Sequence, residues 1–268
     1  MIAPPDHRAP HYVTRGDGVP VLLVHGFPHD HTLWAAQLDG LADVARVIAP
    51  DLPGFGESAY AGEATMDAYA DAVVRVLDDA GVERAVVGGL SMGGYVALAL
   101  WRRHRARLRA LVLADTRATA DTEEGRASRR EMIALARAEG PGAVADRMMV
   151  AMVGKSTRTR APELVSHLRA MLARQSVAGI VGALEAMMAR PDSTPDLATI
   201  TVPTLVVVGD EDALTPPRDA RALHEGIAGS HLEVLAGAGH ASAVERPAAF
   251  NHVLREFVAT LADARPGA

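Results

Sequence analysis

Short, uninterrupted apolar runs alternate along this chain with longer segments of helical periodicity, and this alternation restricts the fold more than any other feature. Five continuous runs are rich in β-branched and aliphatic residues, at 19–26, 45–51, 84–90, 108–115 and 204–210, and the segment 231–237 is a sixth strand candidate. Such runs are typical of strands that are buried on both faces. Helical patterns lie between or after them, at 66–80, 94–104, 217–226 and 247–261. The alternation predicts an α/β fold with a mostly parallel sheet flanked by helices.

The stretch from residue 117 to residue 199 interrupts this alternation, because it contains no convincing strand. Four helical patterns fill it instead, at 122–139, 142–153, 162–174 and 177–189. Glycine and proline residues separate these patterns, as expected between short helices. Since the strands resume afterwards, we interpret the stretch as a helical cap inserted between two strands. The prediction is an α/β core at 1–116 and 200–268, with the cap at 117–199.

Composition narrows the class of protein further. The chain has 268 residues, of which 49 % are hydrophobic, and this is enough for one large core. The net charge of −6 gives no overall attraction to nucleic acids or anionic membranes. Cysteine is absent, which excludes disulfides, thiolate catalysis and cysteine-bound metals. No apolar stretch has the length of a signal peptide or a membrane span, so we expect a cytoplasmic protein without nucleic-acid or membrane partners.

The segment GGLSMGGY at residues 88–95 places a serine between glycines where a strand turns into a helix. Gly89, Ser91 and Gly93 match the pattern G-x-S-x-G, and the strand–turn–helix context is that of a nucleophile elbow. The flanking positions need glycine because a side chain there would collide with the neighbouring strand or helix. The serine hydroxyl then stands clear of the sheet on a strained turn. We therefore predict that Ser91 is a nucleophile.

A serine hydroxyl is a weak nucleophile and needs a base, and an acid followed by a histidine is the expected order after an elbow serine. His240 lies on a glycine-flanked loop after the last predicted strand, and we predict that it is the base. Asp212 is the preferred acid, because the residues before it still belong to the turn that leaves the strand. Asp210 is the alternative and Asp115 a third possibility. Asp212 would also suit a purely structural role, as a cap for the next helix.

Two N–H donors are needed to stabilise the negative charge that develops on a carbonyl oxygen under attack. The backbone N–H of Met92 directly follows the nucleophile and is the first candidate. The second candidate is the N–H of Phe27 in the segment HGFP, which follows an early strand. Gly26 permits a close approach of the backbone there. We predict that Phe27 and Met92 form an oxyanion hole.

The walls of the substrate pocket are expected to come from both the core and the cap. We predict that Phe27, Trp34 and Met92 line it from the core, and Met148 and Met152 from the methionine-rich cap. Simple packing between cap and sheet is the alternative role for each methionine. The cap is also rich in arginine, including Arg126, Arg129, Arg130 and Arg147. An arginine turned inward would be able to bind a substrate carboxylate.

Motifs for metals and cofactors are not evident in this chain. It has no H-E-x-x-H segment, no phosphate-binding glycine loop and no convincing nicotinamide or flavin fingerprint. The segment HDH at residues 29–31 is interpreted as a polar loop near the oxyanion turn. We therefore expect no cofactor and no metal.

Five motifs, in this order, resemble the α/β-hydrolase family over nearly the whole chain: HGFP, DLPGFGES, GLSMGGY, GDEDALTP and GAGH. The resemblance implies an eight-stranded, mostly parallel sheet with a helical cap over the active site. Within the family, the segments FPHDHTLWAAQLDGLAD and GLSMGGYVAL resemble the group of 3-oxoadipate enol-lactonases, cofactor-free haloperoxidases and esterases. A serine at position 91 argues against haloalkane dehalogenases and epoxide hydrolases, which use a carboxylate nucleophile.

The predicted function is a serine hydrolase that cleaves a carboxylic ester or lactone through an acyl-enzyme intermediate. Its partner is a small-molecule ester or lactone, and the sequence does not specify the oligomeric state. The same triad suits two other activities, perhydrolysis with apparent haloperoxidase activity and the hydrolysis of carbon–carbon bonds. A ligand receptor without catalysis, built on the same scaffold, is a further alternative.

Overall fold

The protein was analysed as a computed structural model that describes residues 8–60 and 64–263. A seven-stranded sheet with the strand order β1-β3-β2-β4-β5-β6-β7 forms its centre. The strands are β1 (Tyr12–Arg15), β2 (Val19–Val24), β3 (Ala45–Pro50), β4 (Ala85–Leu90), β5 (Leu108–Ala114), β6 (Thr204–Gly209) and β7 (His231–Leu235). Strand β1 pairs antiparallel with β3, and every other pairing is parallel. The predicted α/β fold with a mostly parallel sheet is thereby confirmed.

Alternate side chains of the central strands enter two separate hydrophobic layers, as the period of a strand requires. In β2, Leu22 and Val24 pack on one face of the sheet, whereas Val21 and Leu23 pack on the other. In the part of the chain that the structure describes, six α-helices belong to the core: α1 (Ala35–Gly40), α2 (Met66–Asp79), α3 (Met92–His104), α9 (Pro217–Gly226), α10 (Ser242–Glu245) and α11 (Pro247–Asp263). Helices α2, α3 and α9 cover the first face, and α1 and α11 cover the second.

Five further helices lie between β5 and β6, and we call them the cap. They are α4 (Glu123–Glu139), α5 (Pro141–Met152), α6 (Lys155–Arg160), α7 (Pro162–Ala173) and α8 (Val177–Ala189). Thr122 and Ser176 cap α4 and α8, because their hydroxyls accept hydrogen bonds from backbone N–H groups in the first turn. Proline occupies the first position of α5 and of α7, where its missing N–H costs nothing.

Three differences separate the sequence prediction from this architecture. The sheet has seven strands within the described residues, one fewer than the resemblance implies, and the segment HYVTRG supplies β1. The short helices α1, α6 and α10 were not predicted, because four to six residues carry too little periodicity. Helix α3 begins at Met92 rather than at residue 94, so that it starts directly after Ser91. Within residues 8–60 and 64–263, no helix has the length and apolarity to cross a membrane.

Candidate active site

The turn between β4 and α3 holds Ser91 in a strained backbone conformation. Its φ of 56° and ψ of −112° lie in a region that non-glycine residues rarely adopt. Glycines make the turn possible, because a Cβ at Gly93 would collide with the carbonyl oxygen of Val24, and one at Gly89 with the Gly93 backbone. The Ser91 N–H donates to the carbonyl of Ala114 at 2.9 Å, which fixes the turn to the neighbouring strand β5. This geometry is that of a nucleophile elbow.

A chain of two hydrogen bonds links Ser91 to His240 and His240 to Asp212. The His240 Nε2 atom lies 2.8 Å from Ser91 Oγ, and its Nδ1 atom lies 2.8 Å from Asp212 Oδ2. The loop after β7 carries His240 and the turn after β6 carries Asp212. The structure therefore brings together the three residues that the sequence selected from distant positions. A neutral imidazole held in this way can accept the serine proton, and the carboxylate stabilises the imidazolium that results.

Three hydrogen bonds from the following turn hold the Asp212 carboxylate in place. The backbone N–H groups of Leu214 and Thr215 donate to Oδ1 at 2.8 and 3.0 Å, and the Thr215 hydroxyl donates to Oδ2 at 2.7 Å. Burial acts to raise the pKa of Asp212, but the charge and hydrogen bond of His240 and the bonds from Thr215 outweigh it and lower the pKa. Burial likewise acts to lower the pKa of His240, and the Asp212 carboxylate outweighs it and raises the pKa. The two groups stabilise each other's charged forms.

The two alternative acids have other roles. Asp210 is exposed and accepts a hydrogen bond from the Gly237 N–H at 2.6 Å. Asp115 is fully buried at the end of β5, where it accepts hydrogen bonds from the Gly209 N–H at 2.9 Å and from the Ser242 hydroxyl. Burial and the nearby Asp212 charge raise the pKa of Asp115 to about 8. The protonated form of Asp115 is therefore favoured more than that of an ordinary aspartate.

The turn that follows β2 lies against the elbow. A Cβ added to Gly26 would be 3.3 Å from the Ser91 Cβ, so a larger residue would crowd the serine. The buried His25 fixes the turn, since its Nε2 accepts the Leu52 N–H at 3.0 Å. Within the part of the chain that the structure describes, neither the Phe27 N–H nor the Met92 N–H meets a hydrogen-bond acceptor. Both N–H groups remain available to a negatively charged oxygen near Ser91.

A cavity of about 340 Å³ lies between the core and the cap, with Ser91 and His240 in its wall. The core contributes Phe27, Tyr95, Arg117, Leu214 and Thr215. The cap contributes residues of α4 (Gly125, Ser128, Arg129, Met132), α5 (Arg147, Met148, Ala151) and α8 (Leu184, Met187), and Asp121 precedes α4. Its size falls at the lower end of the range of about 300–1,000 Å³ that is usual for small-molecule sites.

Three of the five predicted wall residues do not reach this cavity. Phe27 and Met148 line it as predicted, but Trp34, Met92 and Met152 have fully buried side chains outside it. The Trp34 ring packs against the ring of Phe250 in the core, with a centroid separation of 5.9 Å. Met152 belongs to a buried cluster with residues of α7, and Met92 packs beneath the elbow. The sequence identifies these residues as apolar but does not show which way they point.

Charged side chains in the cavity wall include two that sequence reasoning missed, Asp121 and Arg117. The fully paired Asp121 carboxylate contacts Arg129 at 2.5 Å and Arg190 at 2.7 Å, and Arg147 contacts Glu131 at 2.6 Å. Arg117 was not predicted, although it follows the carboxyl end of β5 by three residues, where functional groups gather in such sheets. This position after a strand end was the feature of the sequence that would have indicated Arg117 as a site residue.

Two buried carboxylates tie the cap to the loops that carry the site. Glu245 is 6 % exposed and accepts four hydrogen bonds. Its donors are the N–H groups of Gly239 at 2.9 Å, Ala241 at 3.1 Å and Gly154 at 2.9 Å, and the Thr157 hydroxyl at 2.5 Å. The first two donors flank His240, and the other two lie at the start of α6. Glu245 thereby joins the His240 loop to the cap.

Asp30 makes the second connection, from the turn that follows β2. Arg174 donates two hydrogen bonds to its carboxylate at 2.8 and 2.7 Å, and Gln175 donates a third at 2.8 Å. Burial acts to raise the pKa of Asp30, but the bonds from Thr32, Arg174 and Gln175 outweigh it and lower the pKa to about 2. Asp30 thus joins the residues that follow α7 to the turn that carries Phe27, which lies three residues before it.

The histidines of the HDH segment differ from a simple polar loop. His29 is fully buried, and burial lowers its pKa to about 3, so its ring is neutral. His31 and His11 each direct Nδ1 at the buried Asp51, at 2.9 and 2.8 Å. Ligand atoms of His11, His31 and Asp51 lie within 4.8 Å of one another, and this is the donor set in the described residues that could hold a metal ion. Hydrogen bonds within the chain already satisfy these groups.

Comparison with known proteins agrees with this geometry. The family model for the alpha/beta hydrolase fold matches residues 19–247. A thermophilic esterase from Thermogutta terrifontis, whose structure has malate bound, is 42 % identical with a TM-score of 0.91, covering 94 % of this chain and 93 % of that one. The enol-lactonase from Burkholderia xenovorans LB400 is 29 % identical with a TM-score of 0.86, over 93 % and 96 % of the two chains. A pimeloyl-(acyl-carrier protein) methyl ester esterase from Neisseria meningitidis serogroup A is 32 % identical over 92 % of this chain and 79 % of its own.

The chain therefore belongs to the α/β-hydrolase family, and the predicted family resemblance is confirmed. It is an enzyme of that family, with esterases and enol-lactonases among its relatives.

Proposed function

We propose that this protein is a serine hydrolase that cleaves a small carboxylic ester or lactone through an acyl-enzyme intermediate. The observation that carries the proposal is the hydrogen-bonded chain from Ser91 through His240 to Asp212, with Ser91 and His240 in the wall of a cavity between the core and the cap. A nucleophile, a base and an orienting acid in mutual contact are the requirement for acyl transfer.

The proposed reaction has two halves. In the first, His240 accepts the Ser91 proton while Ser91 Oγ attacks the substrate carbonyl. The N–H groups of Phe27 and Met92 stabilise the oxyanion, and His240 then protonates the leaving alkoxide. In the second half, His240 activates water, which attacks the acyl carbon and releases the acid from Ser91. Asp212 keeps the imidazole in the required tautomer throughout.

The relatives and the cavity support an ester or lactone substrate of modest size. Proteins similar to this chain are named as an esterase, a methyl ester esterase and an enol-lactonase. Much of the cavity wall is apolar, with Phe27, Met132, Met148, Leu184 and Met187 placed to pack against an aliphatic chain. A volume of about 340 Å³ suits a short or medium acyl group rather than a long lipid chain.

Hydrolysis of a substrate panel tests the proposal. The panel is p-nitrophenyl acetate, butyrate and octanoate, γ-butyrolactone and 3-oxoadipate enol-lactone, each measured with the wild type, Ser91→Ala and Ser166→Ala. We expect Ser91→Ala to lose about a thousandfold or more in kcat, as removal of a serine nucleophile does elsewhere. Ser166 is exposed on α7, and its replacement is a matched serine control.

Two further results decide the outcome. A fluorophosphonate should label wild-type protein at Ser91, located by peptide mass, and a thermal melt should show that Ser91→Ala remains folded. Ester turnover that persists in a folded Ser91→Ala variant contradicts the proposal. Peroxide-dependent bromination without ester turnover would instead favour perhydrolysis, which uses the same three residues.

A further inference from the structure

Arg117 is the guanidinium in the cavity wall whose hydrogen-bonding capacity is least used by the protein. Its Nε atom is buried and has no hydrogen-bond partner. Its nearest carboxylate is that of Asp219, at 4.0 Å from Nη1, which is the outer limit of an ion pair. The two other arginines that line the cavity, Arg129 and Arg147, contact carboxylates at 2.5 and 2.6 Å. Arg117 has a hydrogen bond with the Tyr95 hydroxyl, but its Nε–H stays unpaired and no carboxylate contacts it at close range, whereas Arg129 and Arg147 are each paired with a carboxylate.

The Arg117 guanidinium lies in the wall of the cavity that also contains Ser91 and His240. Arg117 and His240 line the same cavity, and the charge of Arg117 is close enough to act against protonation of the His240 ring. The Tyr95 hydroxyl and the carboxylates of Asp219 and Asp121 outweigh the effect of burial on Arg117 and raise its pKa. The guanidinium thus stays charged, and an anion bound to it would lie in the same cavity as Ser91.

The charge balance of the cavity also favours an anion. Within the described residues, three arginines and one carboxylate, that of Asp121, contribute to the cavity wall. Asp121 is itself shared between Arg129 and the buried Arg190, so its hydrogen bonds go to those two arginines and none goes to Arg117. A partly buried guanidinium that the protein pairs incompletely can bind an anion, and a planar carboxylate is its best-matched partner.

We propose that Arg117 forms a carboxylate subsite, so that the preferred substrate is an ester or lactone that carries a second, ionised carboxyl group. The apolar side chains of the cavity pack against the methylene groups between the two functions, while Arg117 holds the carboxylate and Ser91 attacks the ester carbonyl. Monoesters of short dicarboxylic acids and carboxylated lactones have this chemistry. The inference rests on the proposed serine hydrolase activity, and it names the substrate class for the same site.

Matched pairs of esters test the subsite. Monomethyl succinate, glutarate and adipate each carry a carboxylate, and methyl valerate, hexanoate and heptanoate are neutral esters of corresponding length. Acid release in a pH-stat gives kcat/KM for each ester, and the ratio of anionic to neutral ester is the readout. We expect the wild-type ratio to exceed one for at least one chain length and to fall with added salt, because the contact is ionic.

Three variants locate the effect. Arg117→Gln should lower the ratio by about tenfold or more, the size expected when a charge-assisted hydrogen bond is lost. Arg117→Lys keeps the charge without the planar fork and should retain part of the preference. Arg147→Gln removes a charge from the same cavity, but from an arginine that Glu131 already pairs, and should leave the ratio within about twofold.

The outcomes separate this inference from the proposed function. If neutral esters are hydrolysed through Ser91 but Arg117→Gln leaves the ratio unchanged, the carboxylate subsite is refuted while the serine hydrolase stands. Equal losses in Arg117→Gln and Arg147→Gln would also refute it, because they would indicate a diffuse positive field. If no ester in either series is hydrolysed, the proposed function itself fails. Should Arg117→Gln not fold, the ratio measured for Arg117→Lys decides, and an unchanged ratio with an unchanged salt dependence overturns the subsite.

Discussion

Replacing Glu245 tests how strongly a single buried carboxylate holds the His240 loop to the cap. Alanine at this position leaves all four donors without an acceptor, three of them backbone N–H groups that cannot turn away. An unsatisfied buried donor costs about 1–3 kcal/mol. Counting only the three backbone N–H groups at the low end, Glu245→Ala should destabilise the protein by roughly 3 kcal/mol or more.

Glutamine at the same position gives a sharper expectation, because it is similar in shape and keeps one carbonyl oxygen. The new NH₂ group must face one of the two pairs of donors. The Thr157 hydroxyl can rotate to accept from it, whereas the N–H groups that flank His240 cannot. Glu245→Gln should therefore turn its NH₂ towards α6, leave the Gly154 N–H unpaired and cost roughly 1–3 kcal/mol. The His240 loop keeps its acceptor, so kcat should fall less in Glu245→Gln than in Glu245→Ala.

Urea unfolding followed by circular dichroism measures these differences, since at constant m-value the midpoint shift gives the change in free energy. Glu211→Gln is the matched control. Glu211 caps the same end of α6 by accepting the Ser156 N–H at 2.8 Å, but it is partly exposed, and its replacement should cost less than about 1 kcal/mol. Equal losses in Glu211→Gln and Glu245→Gln, or a loss well under about 3 kcal/mol in Glu245→Ala, would refute the reasoning.

Two predictions concern pH. Because the pKa of His240 is raised above 6.5, kcat/KM for a neutral ester should fall as pH decreases through a midpoint above 6.5, and a pH–rate profile with a lower midpoint would contradict this. Asp115 has a pKa of about 8 in the folded chain and 3.8 as its ordinary value, so the folded state holds a proton that the unfolded state releases between those pH values. Its contribution to stability is therefore complete below the ordinary value and is lost as pH rises towards 8. Asp115→Asn removes this pH dependence. In urea titrations, the unfolding free energy of Asp115→Asn relative to that of the wild type should therefore rise between about pH 6 and about pH 9. A difference between the two proteins that does not change with pH would show that Asp115 is ionised in both the folded and the unfolded state.

Local patterns in the sequence were sufficient for the sheet and for the elbow. A strand buried on both faces must be apolar at every position, so its run of residues is recognisable without knowledge of its neighbours. The elbow is equally local, because Gly89 and Gly93 are required by contacts within one turn and the adjacent strand. Asp212 and His240 were predicted from their positions after strands, and the carboxyl ends of parallel strands meet at one edge of the sheet.

Features that depend on contacts between distant segments were not predictable in the same way. Helix α6 has the sequence KSTRTR and no apolar face, and its first N–H groups are satisfied by Glu211 and Glu245 from far along the chain. Trp34 and Met152 are apolar residues that suit a pocket or a core equally well, and packing alone decides between these. The unpaired Nε–H of Arg117 results from which carboxylates the fold places near each arginine, and this is not written in any single segment.

The two anchoring carboxylates divide the cap into halves that are under different constraints. Glu245 binds the start of α6, and Asp30 binds the residues that directly follow α7. The cap's share of the cavity wall comes instead from α4, α5 and α8, and within the described residues α6 and α7 contribute nothing to that wall. Substitutions in α4 and α5 can therefore reshape the cavity while the turn that carries Phe27 and the loop that carries His240 keep their supports. In evolutionary terms, one half of the cap is free to diversify in substrate preference because the other half preserves the chemistry.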